Sequence, residues 1–121
     1  LLLRELAWKF MRMTAQHYQT SFRIDDDHPA LPGHFPQRPV VPGVILLDRV
    51  AAALRQWRGH RIASLPQVKF LAPLLPAQDA ELHLHDDGKS IRFVISHQAG
   101  IVASGIAQTV AIDPPPGAIA A

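Results

Sequence analysis

One short stretch gathers the residues whose types and spacing could do chemistry. It reads Gly33-His34-Phe35-Pro36-Gln37-Arg38-Pro39-Val40-Val41-Pro42-Gly43-Val44, followed by Asp48. His34 lies among prolines, which stiffen a loop and hold an imidazole in place while leaving it accessible. A histidine near its ordinary pKa of about 6.5 can be neutral and accept a proton. Asp48 falls in an apolar stretch, with Val44, Ile45, Ala51 and Ala52 as its helical neighbours at i±3 and i±4. A carboxyl in such surroundings is costly unless paired or protonated, and desolvation favours the protonated acid, which can then donate. Gly43 falls in the first turn of the same helix, where N–H groups have no intrahelical partner. An amide so placed can stabilise a developing oxyanion by roughly 3–4 kcal/mol. A base, an acid and an oxyanion donor are the parts needed to remove a proton α to a thioester and expel a β-hydroxyl. Each part also has a structural reading: a surface histidine, an aspartate that caps or pairs with arginine, a Pro-Gly that merely starts a helix.

The elements that must position these groups follow from periodicity. Pro42-Gly43 opens the longest apolar run, Val44 to Trp57, and proline at a first helical position wastes no hydrogen bond. Apolar residues wrap nearly every side of this helix, which predicts a helix buried all round. A strand is expected from about 17 to 24, and residues 25–40 read as loop, broken by Pro29, Pro32, Gly33, Pro36 and Pro39. A loop this long in a small domain is often functional. After the helix the period becomes two, with strands expected over about 61–71, 78–86, 89–97 and 100–112. Ala80, Leu82 and Leu84 alternate with Glu81, His83 and His85; Ile91, Phe93 and Ile95 alternate with Arg92 and Ser96. In the last strand the apolar Val102, Ile106 and Val110 alternate on average with Ser104 and Gln108. Asp87-Gly88 and Ala99-Gly100 mark the hairpin turns. Residues 1–13 show helical amphipathic spacing, and 113–121 (DPPPGAIAA) read as a tail, so one domain over 1–112 is expected. A sheet wrapped around a single central helix would bury that helix best, an α+β architecture.

Composition narrows the classes. At 121 residues the chain suits one domain, and 48% hydrophobic with 18% charged residues describes a globular protein. Without cysteine there is no disulfide, thiolate nucleophile or cysteine-held zinc. No apolar run reaches the roughly 20 residues of a membrane span, and Arg4, Glu5, Lys9 and Arg12 interrupt any signal-peptide core. A cytoplasmic location follows by default. A net charge of +2 with no dense Lys/Arg stripe does not suit nucleic acid. Arg49, Arg55, Arg58 and Arg61 nonetheless cluster, and the patch suits either an acidic partner of modest size or a solvated helix face. His83 and His85 with Asp86 or Asp87, and the Asp25-Asp26-Asp27-His28 run, read as solvent-facing groups and not as metal ligands; Trp8 and Trp57 read as packing residues.

The segment GHFPQRPVVPGVILLD resembles the active-site motif of the FabA/FabZ-type 3-hydroxyacyl-acyl-carrier-protein dehydratases, G-H-F-P-G-x-P-x-x-P-G followed by a catalytic Glu or Asp. The interval 48 − 34 = 14 residues is that of the family. Val68-Lys69-Phe70-Leu71-Ala72-Pro73 and Ala103-Ser104-Gly105 are similar to its post-helix and final strands, so the resemblance runs over about 17–112. It implies a hot-dog fold and a homodimer whose sites each take the histidine from one subunit and the acid from the other. His34 would take the C2 proton and Asp48 would protonate the leaving hydroxyl. The Gly43 N–H would hold the thioester oxygen and the Val40 carbonyl would orient the imidazole, with Phe35 and Val44 as substrate-contacting positions. The substrate would be a 3-hydroxyacyl group on the phosphopantetheine of acyl carrier protein or coenzyme A, with no cofactor and no metal. Arg49, Arg55 and Arg58 would face the carrier.

Aspartate in the acid position resembles the FabA branch, which can also isomerise the double bond. Gln37 stands where the family has glycine, Ala52 where it usually has glutamine, and Arg49 where a small residue is usual. These departures suggest a specialised relative, in aryl-polyene pigment or another secondary acyl pathway. A hot-dog thioesterase and a non-catalytic acyl-binding or scaffold subunit are the alternatives.

Overall fold

The computed structural model describes residues 16–29, 31 and 40–112. In chain order these form β1 (His17–Arg23), α1 (Gly43–Arg58), β2 (His60–Phe70), β3 (Asp79–Asp86), β4 (Ile91–His97) and β5 (Gly100–Ala111). The expected N-terminal helix over 1–13 and the tail over 113–121 lie outside the described residues. The strands make one antiparallel sheet in the order β1-β3-β4-β5-β2, with α1 packed on its inner face. This is the hot-dog arrangement.

Alternation sorts the two faces of β3 and β4 as their sequences require. Ala80, Leu82, Leu84, Ile91, Phe93 and Ile95 are buried, while Glu81, His83 and Arg92 are exposed. In β5 the expected apolar set holds for Val102, which is buried, and is corrected for Ile106 and Val110. Val102, Ile106 and Val110 share one parity with Ser104 and Gln108, and Ile106 pairs with the exposed Arg92 and Gln67 on the outer side. The core face carries Ala103, Gly105 and Ala107, opposite Ile95, Phe93 and Ile91. Small residues there make room for the Phe93 ring: a Cβ on Gly105 would lie 2.5 Å from its Cζ and 2.4 Å from the carbonyl oxygen of Gln67. Val102 is buried as well, and its carbonyl accepts from the amides of Leu71 and Ala72 beyond β2.

The helix is corrected too. It is not buried all round: Ile45, Leu46, Val50, Ala53 and Leu54 face the sheet, whereas Val44, Asp48, Arg49, Ala52, Arg55 and Gln56 are exposed. One five-stranded sheet covers one side of a helix, and apolar residue type does not report what lies opposite the other side. The C-terminal end is held firmly. Gly59, in the left-handed region at φ 64°, donates to the Arg55 carbonyl and turns the chain straight into β2. Trp57 stacks on Tyr18 of β1 at 5.8 Å, and the Arg58 guanidinium lies 4.0 Å above the Trp57 ring while pairing with Asp86 of β3. β2 is a sheet edge, irregular in register around Ser64 and carrying Pro66, which cannot donate to a ladder.

Two expectations follow. Gly105→Ala forces a methyl into the Phe93 ring and the Gln67 carbonyl, and should cost about 3 kcal/mol in denaturant unfolding. Asp86 is held below the usual carboxylate range by the Gly88 amide and Arg58, and Asp87 by the amides of Lys89 and Ser90. A lowered folded-state pKa gives stability that is present above the unfolded value and lost as pH falls through the folded one. Thermal melts should therefore drop as pH is taken below about 4, and Asp86→Asn should flatten that drop while lowering the midpoint at pH 7.

Candidate active site

The chain enters α1 through Val40, Val41 and Pro42. The Val41 amide donates to the Leu74 carbonyl at 2.8 Å, which pins this segment beside the loop after β2. Pro42 is extended (φ −60°, ψ 145°), and its carbonyl accepts from Ile45 and Leu46, with no side chain capping the helix. The amides of Gly43 and Val44 therefore have no hydrogen-bond partner among the described residues. They sit at the positive end of the helix dipole, suited to an oxygen that gains negative charge.

A cavity of about 390 Å³ opens at this end, lined by Val40–Gly43, Leu46 and Phe70–Leu74. Phe70 lies over Gly43 so closely that a Cβ there would be 2.6 Å from its Cζ. Both the glycine and the aromatic ring thus shape access to the free amides. Val44, Phe70, Leu71 and Leu75 are large apolar side chains left exposed, at 64, 55, 58 and 44%. Sequence reasoning does not single out Phe70 and Leu71 as site residues; their signal is an apolar pair where the edge strand β2 ends.

Asp48 opens on a different groove, of about 540 Å³, lined by Asp48, Ala51, Ala52, Arg55, Gln56, His60, Arg61 and Ile62. The carboxyl is exposed, so the expectation of a dry acid is corrected for the single chain. Gly43 and Asp48 are five residues apart, which separates them by about 7.5 Å along the helix and about 140° around it. Among the described residues Gly43 lines the first of these cavities and Asp48 the second. His34, Phe35 and Gln37 lie outside the described residues. Of the arginines, Arg49 lies 5.7 Å over the Phe22 ring and Arg58 is engaged by Asp86 and Trp57, whereas Arg55 lines the Asp48 groove. Gln56, His60 and Arg61 join it there. Gln56 repeats the spacing of Asp48 and Ala52 at intervals of four, a pattern visible in the sequence but not used.

On the outer face of β1 and β3, His85 Nδ1 meets His17 Nδ1 at 3.2 Å and His83 Nε2 meets Glu81 at 3.3 Å. Among the described residues no three His, Cys, Asp or Glu side chains converge on one point. None of the described helices is long and apolar enough to cross a membrane.

Comparison with known proteins agrees with this architecture. The 3-hydroxyacyl-[acyl-carrier-protein] dehydratase FabZ of Haemophilus influenzae (strain Rd) is 30% identical over 95 residues, covering 69% of this chain and 59% of the relative. FabZ of Bradyrhizobium sp. (strain ORS 278) is 30% identical over 77 residues, 54% of this chain and 51% of the relative. The chain spans about half the length of the curated relatives it matches. Among solved structures, the dehydratase heterocomplex ApeI:P from Xenorhabdus doucetiae superposes with a TM-score of 0.71 at 23% identity, covering 79% of this chain and 88% of that one. An uncharacterised protein from Erwinia carotovora subsp. atroseptica superposes at 0.68 with 28% identity over 83% and 89%. Residues 11–106 match the family described as ApeI-like, ApeI dehydratase, and the chain belongs to that family.

Proposed function

We propose that the chain dehydrates a 3-hydroxyacyl thioester, carried on acyl carrier protein or coenzyme A, to the trans-2-enoyl thioester. The observation that carries this reading is the split of Gly43 and Asp48 between two cavities of one chain, within a motif shared with the dehydratases. A second copy laid over the open face of α1 would bring one chain's free amides and histidine loop to the other's carboxyl. It would also cover Val44, Phe70 and Leu71, which a single chain leaves in water.

In that site the neutral His34 imidazole takes the C2 proton. The electron pair moves into the thioester carbonyl, whose oxygen accepts the Gly43 N–H. As the pair returns to form the C2–C3 double bond, the C3–O bond breaks. The departing hydroxyl takes the Asp48 proton and leaves as water. The covering chain would take Asp48 out of solvent, the condition under which a carboxylic acid keeps a proton to give. Val40 lines the amide cavity, and its carbonyl is the acceptor proposed to orient the imidazole.

Purified protein given 3-hydroxyacyl thioesters should produce an absorbing enoyl thioester. His34→Ala and Asp48→Asn should each lower kcat by about 10²–10⁴-fold, the range of a lost general acid or base. Free thiol released without a double bond would mark a thioesterase, and carrier binding without turnover would mark a scaffold subunit. Mixing the His34→Ala and Asp48→Asn chains should recover part of the activity, because one of the two sites in a mixed dimer keeps both groups. No recovery in a dimer shown to exchange subunits would count against a shared site.

A further inference from the structure

The sheet face turned away from α1 brings together two histidines that are 68 residues apart in the chain. His17 of β1 is the register partner of His85 of β3, and Gln19 is that of His83. Cross-strand partners share one face of a sheet. Here that is the outer face, because Leu82 and Leu84, of the other parity, are buried in the core. The two imidazoles lean toward each other along one edge: their centroids are 4.4 Å apart, their planes 37° apart, and their Nδ1 atoms 3.2 Å apart. His17 is exposed and His85 half-buried, so solvent reaches the pair. Neither residue lines the amide cavity or the Asp48 groove.

One N–H shared between the rings is a single hydrogen bond in water, and its net worth is small. The same spacing suits a metal ion far better. Imidazole nitrogen binds zinc at about 2.0–2.1 Å, so two nitrogens 3.2 Å apart subtend about 100° at an ion touching both. That angle falls between about 90° for a square plane and about 109° for a tetrahedron. Neither ring has to leave its place. His83 is spoken for, since its Nε2 meets Glu81 at 3.3 Å and the same carboxylate oxygen accepts from Gln19 Nε2 at 3.2 Å. Arg92, the register partner of His85 on β4, is a cation on this face, but Asp87 draws it off at 3.5 Å. Two imidazoles completed by water favour copper, nickel and zinc, whereas magnesium and calcium require oxygen ligands.

We infer that His17 and His85 form a binding site for one divalent late transition-metal ion, which clamps β1 to β3. The clamp falls where the sheet is weakest. β1 is an edge strand, and β3 is its one strand partner among the described residues. The two nitrogens meet only when these strands are paired in register, so the ion binds the folded chain and stabilises it by mass action. The site lies across the sheet from α1 and takes no part in the proposed dehydration, so the two readings stand or fall separately.

The experiment titrates untagged, chelator-treated protein with Cu²⁺, Ni²⁺, Zn²⁺, Mg²⁺ and Ca²⁺ by calorimetry, and follows thermal melts with each ion. One Cu²⁺ per chain should bind, more tightly than Ni²⁺ or Zn²⁺. These three ions should raise the melting temperature, and Mg²⁺ and Ca²⁺ should leave it unchanged. His17→Gln and His85→Gln should each weaken binding by about tenfold or more and abolish the melting shift, while His83→Gln retains both. Paramagnetic resonance of the copper-loaded parent, which needs no variant, should show two imidazole nitrogens on the ion. Absence of binding by every ion overturns the inference. So do an equal response to Mg²⁺, a single imidazole nitrogen on copper, or binding that survives both His17→Gln and His85→Gln. Loss with His83→Gln and not with His17→Gln also overturns it, assigning the ion to two histidines of one strand.

Discussion

Everything else in the molecule depends on one stripe of α1 pressed against one face of the sheet. Ile45, Leu46, Val50, Ala53 and Leu54 are each at or below 5% exposure, packed with Leu82, Leu84, Phe93 and Ile95. Burying a large aliphatic side chain is worth about 1.5–3 kcal/mol, so this stripe sets the rotation of the helix about its own axis. Once that rotation is set, Asp48, Ala52, Arg55 and Gln56 have only the opposite side available. Asp48 is thus positioned by core packing in which it takes no part, while Leu46 of the same stripe also lines the amide cavity. The small core face of β5 serves the same end, since Gly105 leaves the space that the Phe93 ring occupies beneath the helix.

The two ends of the helix are built for different purposes. The C-terminus is held by local contacts: Gly59 caps, Arg55 and Arg58 complement the dipole, and the Tyr18–Trp57–Arg58–Asp86 chain ties helix to sheet. At the N-terminus no side chain caps, and proline followed by glycine replaces the usual Ser, Thr, Asp or Asn. Leaving a cap out costs of order 1 kcal/mol. It leaves the Gly43 and Val44 amides without a partner among the described residues, and Gly43 lines the cavity at this end. The capped end ties the helix to the sheet, and in the proposed reaction the uncapped end receives the oxyanion.

Much of this was legible in the sequence because two periodicities differ sharply. The alternation in Ala80–Leu84 and Ile91–Ile95 located the inner face of the sheet to the residue, and Pro42-Gly43 located the helix start. What was not legible concerns coverage. Alanine, valine and leucine on every side of α1 read as a fully buried helix, yet Ala52 and Val44 are exposed, because a small or single apolar residue in water costs little. In β5 the larger residues Ile106 and Val110 drew attention to the outer face, while the core face was written in alanine and glycine, which carry no strong hydrophobic signal. Arg58 looked like one more cation of a surface patch. Only the fold brings Asp86, 28 residues on, to its guanidinium.

The exposure of Asp48 follows from the same logic, and it bears on how such a site could be assembled. A carboxyl on the sheet side of α1 would have to be desolvated during folding of the chain itself, against a marginal total stability. On the open side it stays hydrated until another surface arrives, so the cost is deferred from folding to association. The edge of the sheet fits that order of events. β2 carries Pro66, irregular register around Ser64, and the exposed Lys69, features that discourage indiscriminate strand addition. Its end at Phe70 and Leu71 is apolar and adjoins the helix N-terminus. A partner that covers those side chains gains apolar burial close to where it must also take the acid out of water. In the proposed dimer, hydrophobic contact near Gly43 therefore offsets the desolvation of Asp48, and the catalytic environment forms only when the two chains meet.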